Sequence, residues 1–286
     1  MSNFDLSISP AQIEFVLKPG VTITQAYTII NNSTTPLYLD TKVLPWYPTG
    51  DDGSVNYQNI LPNPKISFSL ANANLQLEKP FTIPSQGSQQ LVLKIKTDST
   101  ADLGDAYYTF FIYQNQNTIK SDNTSAQATG QIGSHILLSI SQSEIQTASG
   151  NVKKFSITPK IKDVFFTPIN FTGDIQNNTN YFFKTTGRIT ITKNNQTIKE
   201  INLDPSNVLA HHYRRLNCQE NIGCILNPPL WPGHYTATLS FDENIKVPPS
   251  SVSFYVFPFS PIIFFIFIGA IFSCFKFFKK FWKPSK

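Results

Sequence analysis

The residue types in this chain that could do chemistry are its histidines and cysteines. They are His135, His211, His212, His234, Cys218, Cys224 and Cys274. Catalysis needs a nucleophile, an acid or base, or a ligand set at a defined spacing, and the chain carries no nucleophile elbow, phosphate loop or zinc-protease motif. We therefore predict no enzyme, no cofactor and no bound metal, and we interpret the histidines as ordinary strand and loop residues.

One pair of cysteines has a spacing that predicts a bond. Cys218 and Cys224 enclose the polar loop QENIG, and an oxidising compartment would let them close a small disulfide. Free thiols are one alternative. A zinc site with His211 and His212 is another, but the spacing is wider than usual for zinc, and adjacent side chains point apart in an extended segment. We predict the disulfide.

The elements that position these residues are predicted to be strands. Phe, Tyr, Ile, Val and Thr are abundant, and short alternating apolar and polar runs are separated by turn residues. Such runs fill residues 1–142. A second block of the same kind covers 143–257 and begins with a polar stretch over 144–151 that separates its strands from those of the first block. The pattern predicts an all-β chain of two tandem β-sandwiches.

The end of the second block is followed by a different pattern. Residues 258–275 are uncharged and rich in Phe and Ile, long enough at about 1.5 Å per residue to cross most of a ~30 Å hydrocarbon core. We predict a transmembrane helix over 258–278 and a basic tail over 279–286; a buried core helix is the alternative. The predicted membrane-interface residues are Lys276, Lys279, Lys280, Trp282 and Lys283.

The charge of the chain is concentrated at this end. The net charge is +5, and removing the five lysines after residue 275 leaves 18 basic and 18 acidic residues. Nucleic-acid binding is therefore excluded. The lysines predict a single-pass protein of the cell membrane with a cytoplasmic tail and an extracytoplasmic body. Because residues 1–10 contain no signal-peptide pattern, we expect a signal upstream of Met1 or one already removed; a reversed orientation is the alternative.

Several segments of the first block, taken in order, resemble a known family. They are LSISPAQIEFVLKPGVTITQAYTIINNSTTPLYLDTKV, DGSVNY, FTIPSQGSQQLVLKIK and GDAYY. Their order is similar to the N-terminal immunoglobulin-like domain of the WxL-interacting (DUF916-type) bacterial cell-surface proteins, which also end in a membrane helix and a basic tail. The resemblance implies two immunoglobulin-like sandwiches and binding to the cell wall. It also implies that Trp46, Tyr47 and Tyr57 are binding residues whose rings stack on sugars; packing inside the protein is the alternative.

Together these observations favour a noncatalytic, membrane-anchored surface protein. It would bind or scaffold peptidoglycan or another surface protein through its loops and sheet edges. One alternative is a helper of surface assembly similar to the fimbrial chaperones, although those proteins hold a client carboxylate with basic residues, and the first block contains no arginine. The other alternative is a tail-anchored adaptor, which requires the reversed orientation.

Overall fold

The computed structural model describes residues 4–57, 61–115, 130–143, 147–166, 168–219 and 224–281. The chain forms two compact units, and each contains short segments that are distant in sequence. Unit 1 consists of Met1–Gln146, Thr179–Phe182 and Leu209–His211. Unit 2 consists of Thr147–Asn178, Phe183–Val208 and His212–Lys286. Apart from one C-terminal helix, the described elements are strands, so the prediction of an all-β chain is confirmed.

Unit 1 consists of two main sheets and one small hairpin. Its strands are β1 (Leu6–Ser9), β2 (Gln12–Leu17), β3 (Thr22–Asn31), β4 (Leu37–Pro45), β5 (Tyr47–Thr49), β6 (Ser54–Asn56), β7 (Ile66–Leu70), β8 (Phe81–Ile83), β9 (Ser88–Thr97), β10 (Gly104–Gln114) and β11 (Gln131–Ile140). One sheet has the order β1-β3-β9-β7, and the other has the order β2-β11-β10-β4-β8. The hairpin pairs β5 with β6.

The period of two residues explains the core of unit 1. On β10, Tyr108, Phe110 and Ile112 point inward and are almost completely buried with residues from the opposite sheet. The residues between them, including Thr109 and Phe111, lie on the outer face of the same sheet.

The first strand of unit 1 is divided between the two sheets at Pro10. β1 pairs antiparallel with β3, whereas β2 pairs parallel with β11 in the other sheet. The pairing of β2 with β11 runs from Gln12↔His135 to Leu17↔Ile140. β2 therefore accompanies only the second half of β11.

Unit 2 repeats this arrangement. Its strands are β12 (Ala148–Thr158), β13 (Ile161–Asp163), β14 (Ile169–Asn177), β15 (Phe183–Thr185), β16 (Gly187–Lys193), β17 (Gln196–Asn202), β18 (Ser206–Val208), β19 (Tyr213–Arg215), β20 (Cys224–Leu226), β21 (Gly233–Phe241), β22 (Ile245–Lys246) and β23 (Ser250–Phe257). One sheet has the order β19-β14-β12-β22 with β20 also on β14, the other has the order β13-β23-β21-β16-β17, and β15 pairs with β18. The short strand β13 runs parallel to the last strand, β23.

The C-terminal helix, α1 (Phe259–Phe281), begins against unit 2. The backbone N–H and the hydroxyl of Ser260 both donate to the carboxylate of Asp163 at 2.8 Å. This carboxylate thus satisfies an N–H of the first turn that has no partner inside the helix.

The prediction of a transmembrane helix over 258–278 is wrong. Within the described parts of the chain, no helix combines the length and the apolar character that crossing a bilayer requires. The single-pass placement, with an outer body and a cytoplasmic tail, rested on that helix and is wrong with it.

Candidate functional site

The first half of β11 is an open sheet edge. On one side β11 pairs with β10 along its whole length, from Gln131 to Ile140. On the other side its pairing with β2 begins only at His135. Among the residues that the structure describes, no strand pairs with 131–134 on that side, although the ring of Phe4 lies against Gly130, just before this segment. We call residues 131–134 the open edge.

Two of the four residues of the open edge turn their peptide groups away from β10. The N–H of His135 donates to the carbonyl of Ala11 at 3.0 Å, so this residue faces the β2 side. The carbonyl of Gly130 accepts from Gln114 N–H at 3.0 Å, so that residue faces β10. Because peptide groups alternate along a strand, the N–H and C=O groups of Gln131 and Gly133 face the same side as His135. A strand placed there would find unused donors and acceptors.

The outer face beside the open edge is formed by Gly133 and its neighbours on β10. Gly133 is paired with Phe111, and a Cβ atom at Gly133 would lie 2.6 Å from Thr109 Cγ2 and 3.1 Å from Phe111 Cδ1. A larger residue therefore has no room at position 133. The ring of Tyr57 covers these neighbours, with its hydroxyl 2.9 Å from Thr109 Oγ1 and its ring centroid 5.2 Å from that of Phe111.

The other two predicted binding residues lie close to this region but differ in exposure. Trp46 is 6% exposed, stacks on Tyr107 at a centroid distance of 4.9 Å and meets the edge of the His135 ring at 5.3 Å. Its faces are therefore not free to stack on a sugar. Tyr47 is 43% exposed, and its hydroxyl accepts a hydrogen bond from the Asn56 amide at 2.7 Å.

His135 connects these residues without forming a catalytic group. Its Nδ1 lies 2.9 Å from Thr109 Oγ1, which also contacts the Tyr57 hydroxyl. Burial lowers the pKa of His135, so its ring is neutral near pH 7. A neutral ring hydrogen-bonded to the hydroxyl of the buried Thr109 can orient that residue.

The other histidines lie apart from this network. His211 Nε2 contacts Asn180 Oδ1 at 2.7 Å, His212 stacks on Tyr213, and His234 lies against Tyr255. In the described ranges, no three His, Cys, Asp or Glu residues come together in a way that could hold a metal ion. Cys218 and Cys224 form a disulfide, and both are buried in the core of unit 2.

Unit 2 carries an apolar groove that the sequence analysis missed. Its volume is about 350 Å³. The lining residues are Val164, Phe165, Pro229, Leu230, Trp231, Pro232, Pro258 and Pro261. Trp231 is 82% exposed and Phe165 is 53% exposed. Of the predicted membrane-interface residues, Lys276 is exposed on α1, and Lys279, Lys280, Trp282 and Lys283 lie outside the described side chains.

No family model matches the sequence, and no curated protein matches it. Solved structures that are similar include the Escherichia coli chaperone DraB, with 10% identity, coverage of 88% of this chain and 97% of DraB, and a TM-score of 0.38. The class 5 fimbriae chaperone CfaA has 11% identity, coverage of 87% and 98%, and a TM-score of 0.39. The Salmonella enterica complex of SafA pilin with the SafB chaperone has 10% identity, coverage of 88% of this chain and 97% of that chain, and a TM-score of 0.40.

These comparisons correct the resemblance stated above. The three structures reported above are of fimbrial chaperones, and none is of a WxL-interacting protein, so the prediction of that family is wrong. The main functional prediction, a membrane-anchored binder of the cell surface, rested on that family and on the transmembrane helix and is also wrong. The TM-scores are too low for the likeness to carry an argument about function.

Proposed function

We propose that this protein is a noncatalytic assembly helper that holds an extended segment of another surface protein by adding it as a strand beside β11. This is the chaperone-like alternative that the sequence left open. The observation that carries the proposal is the open edge, where the peptide groups of Gln131 and Gly133 face a lane without a strand in the described structure. Unpaired strand edges are the usual template for binding extended peptides.

The side chains around the open edge support the same function. Ile132 packs against the core of unit 1, so an inward side chain of the added strand would meet apolar surface. On the outer face, Gly133 leaves the added strand free to approach Thr109 and Phe111, with Tyr57 as a wall. We propose that Tyr57 and the exposed Tyr47 contact the partner, and that the buried Trp46 supports them through Tyr107 and His135.

The finer description of the fold belongs to this proposal. We propose that both units are immunoglobulin-like, because the first strand of each is split and its second part runs parallel to the last strand. Unit 1 up to residue 146 contains no arginine. Recognition of the partner should therefore depend on backbone pairing rather than on its terminal carboxylate.

The test uses one variant that removes a donor from the open edge and one that does not. Gln131→Pro removes the N–H that faces the lane, while the exposed side chain of residue 131 makes proline tolerable there. Gln131→Ala keeps that N–H and is the matched control. The probe is a synthetic ten-residue peptide of alternating valine and threonine, with and without a C-terminal amide.

We expect the full chain and Gln131→Ala to bind the probe equally well, and Gln131→Pro to bind it at least tenfold more weakly in calorimetry. Amidation of the probe should change the affinity less than twofold. Equal binding by all three proteins, or no binding by the wild type, would contradict the proposal. Circular dichroism of each variant serves as the control for folding.

A further inference from the structure

The helix α1 carries more exposed apolar surface than any other described element of the chain. Every residue from 262 to 268, together with Ile271 and Phe272, is a large apolar residue, and these side chains are 38–70% exposed. Successive residues on a helix point about 100° apart, so this surface extends around the helix. In the described structure, the hydrogen bonds that hold α1 to the body of unit 2 come from its first turn, at Ser260.

This surface is large enough to support a stable protein interface. With roughly 200 Å² for a fully exposed side chain of this size, the exposed fractions correspond to roughly 1,000 Å² of apolar area. A stable interface of standard size buries about 800 Å² on each partner. Soluble monomers rarely expose a contiguous apolar patch of this size.

The charges near the two ends of α1 indicate which occupant fits. Lys276 is exposed towards the C-terminal end, and Asp163 lies at the N-terminal end, where it accepts from Ser260. A parallel pair of helices would bring the lysines of two copies together. An antiparallel pair would place Lys276 of one copy near Asp163 of the other and would also oppose the two helix dipoles favourably.

We propose that α1 of a second copy of this chain, running antiparallel, packs on the face of α1 that carries Ile262, Phe265, Phe272 and Lys276. When Lys276 of one copy lies beside the Ser260 turn of the other, Ser273 lies within one residue of the level of Ile262, and both are on the face of Lys276. Cys274 is a free, exposed cysteine on another face, so it is replaced by serine in the cross-linking variants. The inference does not depend on strand addition at β11, and either can fail while the other holds.

The test uses the full chain without detergent. In sedimentation velocity over a hundredfold range of concentration, we expect a discrete dimer, or a larger closed oligomer, that dissociates on dilution. In the variant Ile262→Cys/Ser273→Cys/Cys274→Ser, a short bismaleimide should cross-link residue 262 of one copy to residue 273 of the other. The variants Ile262→Cys/Cys274→Ser and Ser273→Cys/Cys274→Ser, with one cysteine each, should give no cross-linked dimer.

Three results would overturn the proposal. The first is a monomer at all concentrations, including one that floats with phosphatidylcholine and phosphatidylglycerol vesicles. The second is a polydisperse aggregate without a discrete species. The third is efficient cross-linking of Ser273→Cys/Cys274→Ser, because residue 273 of one copy meets residue 273 of the other only in parallel helices.

Discussion

The phenolic hydroxyl of Tyr107 donates a hydrogen bond to Oδ2 of Asp105 at 2.6 Å. The same carboxylate oxygen accepts the backbone N–H of Phe182 at 2.6 Å, and Oδ1 accepts the hydroxyl of Ser139 at 2.5 Å. The oxygen of Tyr107 in turn accepts the N–H of Ala210 at 2.9 Å. Within unit 1, this network fastens the segments Thr179–Phe182 and Leu209–His211 to β10.

The first prediction concerns the charge of Asp105. Burial, the largest influence on this carboxyl group, raises its pKa, and its hydrogen bonds only partly oppose that shift. Because the pKa is higher in the folded than in the unfolded state, the stabilising contribution of Asp105 is greatest below its unfolded pKa of about 4 and is lost as the pH rises through its folded pKa. In Asn at this position the amide oxygen can accept from Tyr107 and Phe182, and the NH2 group can donate to Ser139 Oγ, without a charge.

We therefore expect the stability of Asp105→Asn relative to the wild type to increase as the pH rises from about 4 and then to level off. Urea unfolding of unit 1 across this pH range measures it. Asp105→Ala leaves Tyr107, Ser139 and Phe182 without their acceptor and should cost about 1–3 kcal/mol. A constant difference between wild type and Asp105→Asn at every pH would show that the buried charge does not influence folding.

The second prediction separates Trp46 from its neighbour. Trp46 is buried between Tyr107 and His135, so Trp46→Ala should destabilise unit 1 by about 3–5 kcal/mol. Tyr47 is largely exposed, and Tyr47→Ala should change the stability by less than about 1 kcal/mol. Tyr47→Ala should nevertheless weaken binding of the probe peptide. Comparable losses of stability in the two variants would show that Tyr47 is also a packing residue.

The third prediction concerns the disulfide. The loop between Cys218 and Cys224 is short, so by loop entropy the bond should stabilise unit 2 by roughly 2–3 kcal/mol. Replacing both cysteines by alanine should lower the unfolding transition of unit 2 and leave that of unit 1 unchanged. Mass spectrometry should find the unreduced peptide spanning residues 218–224 two hydrogens lighter than after reduction. Equal masses would mean that the thiols are free.

The fourth prediction concerns Lys162 on β13, which lies at the edge of its sheet. Its side chain is 1% exposed, and its ammonium group has no hydrogen-bond partner among the described residues. Burial lowers the pKa of Lys162 because it disfavours the charged form of the side chain. This destabilises the folded state at every pH at which the unfolded lysine is charged. An inward charge on an edge strand discourages pairing with other chains.

Lys162→Met should therefore stabilise unit 2 by about 1–3 kcal/mol near pH 7 and, at the same time, increase self-association. Differential scanning fluorimetry measures the first effect, and light scattering measures the second. Lys160→Met, two residues before Lys162 and next to β13, is the control for an added apolar residue. A loss of stability in Lys162→Met would contradict this account of the buried lysine.

The sequence contained much of the strand pattern. Alternation of apolar and polar residues identified β3, β9 and β10, because a strand with one buried face must alternate. The cysteine spacing pointed to the pair that the structure joins. The open edge was missed because the most strongly apolar part of the last strand of the first block begins only at Ile136. Ile132, Ser134 and Ile136 share one face, and that alternation could have extended the strand to Gln131.

Other features could not be obtained from local patterns. The gap beside 131–134 depends on where β2 joins β11, which is a pairing between distant segments. The burial of Trp46 also depends on distant segments, because its ring is covered by Tyr107 and His135 from other strands. The apolar run of α1 was interpreted as a membrane span from its composition, but no described helix combines the length and the apolar character that a span requires.

The most direct test of the proposed function is amide exchange at the open edge. In the full chain, the N–H groups of Gln131 and Gly133 should exchange rapidly with deuterated water when the protein is free. They should be protected at least tenfold by the valine–threonine peptide, while the N–H of His135, already bonded to Ala11, should be slow in both states. Unchanged exchange at Gln131 and Gly133 with the peptide bound, or protection confined to another strand edge, would contradict strand addition beside β11.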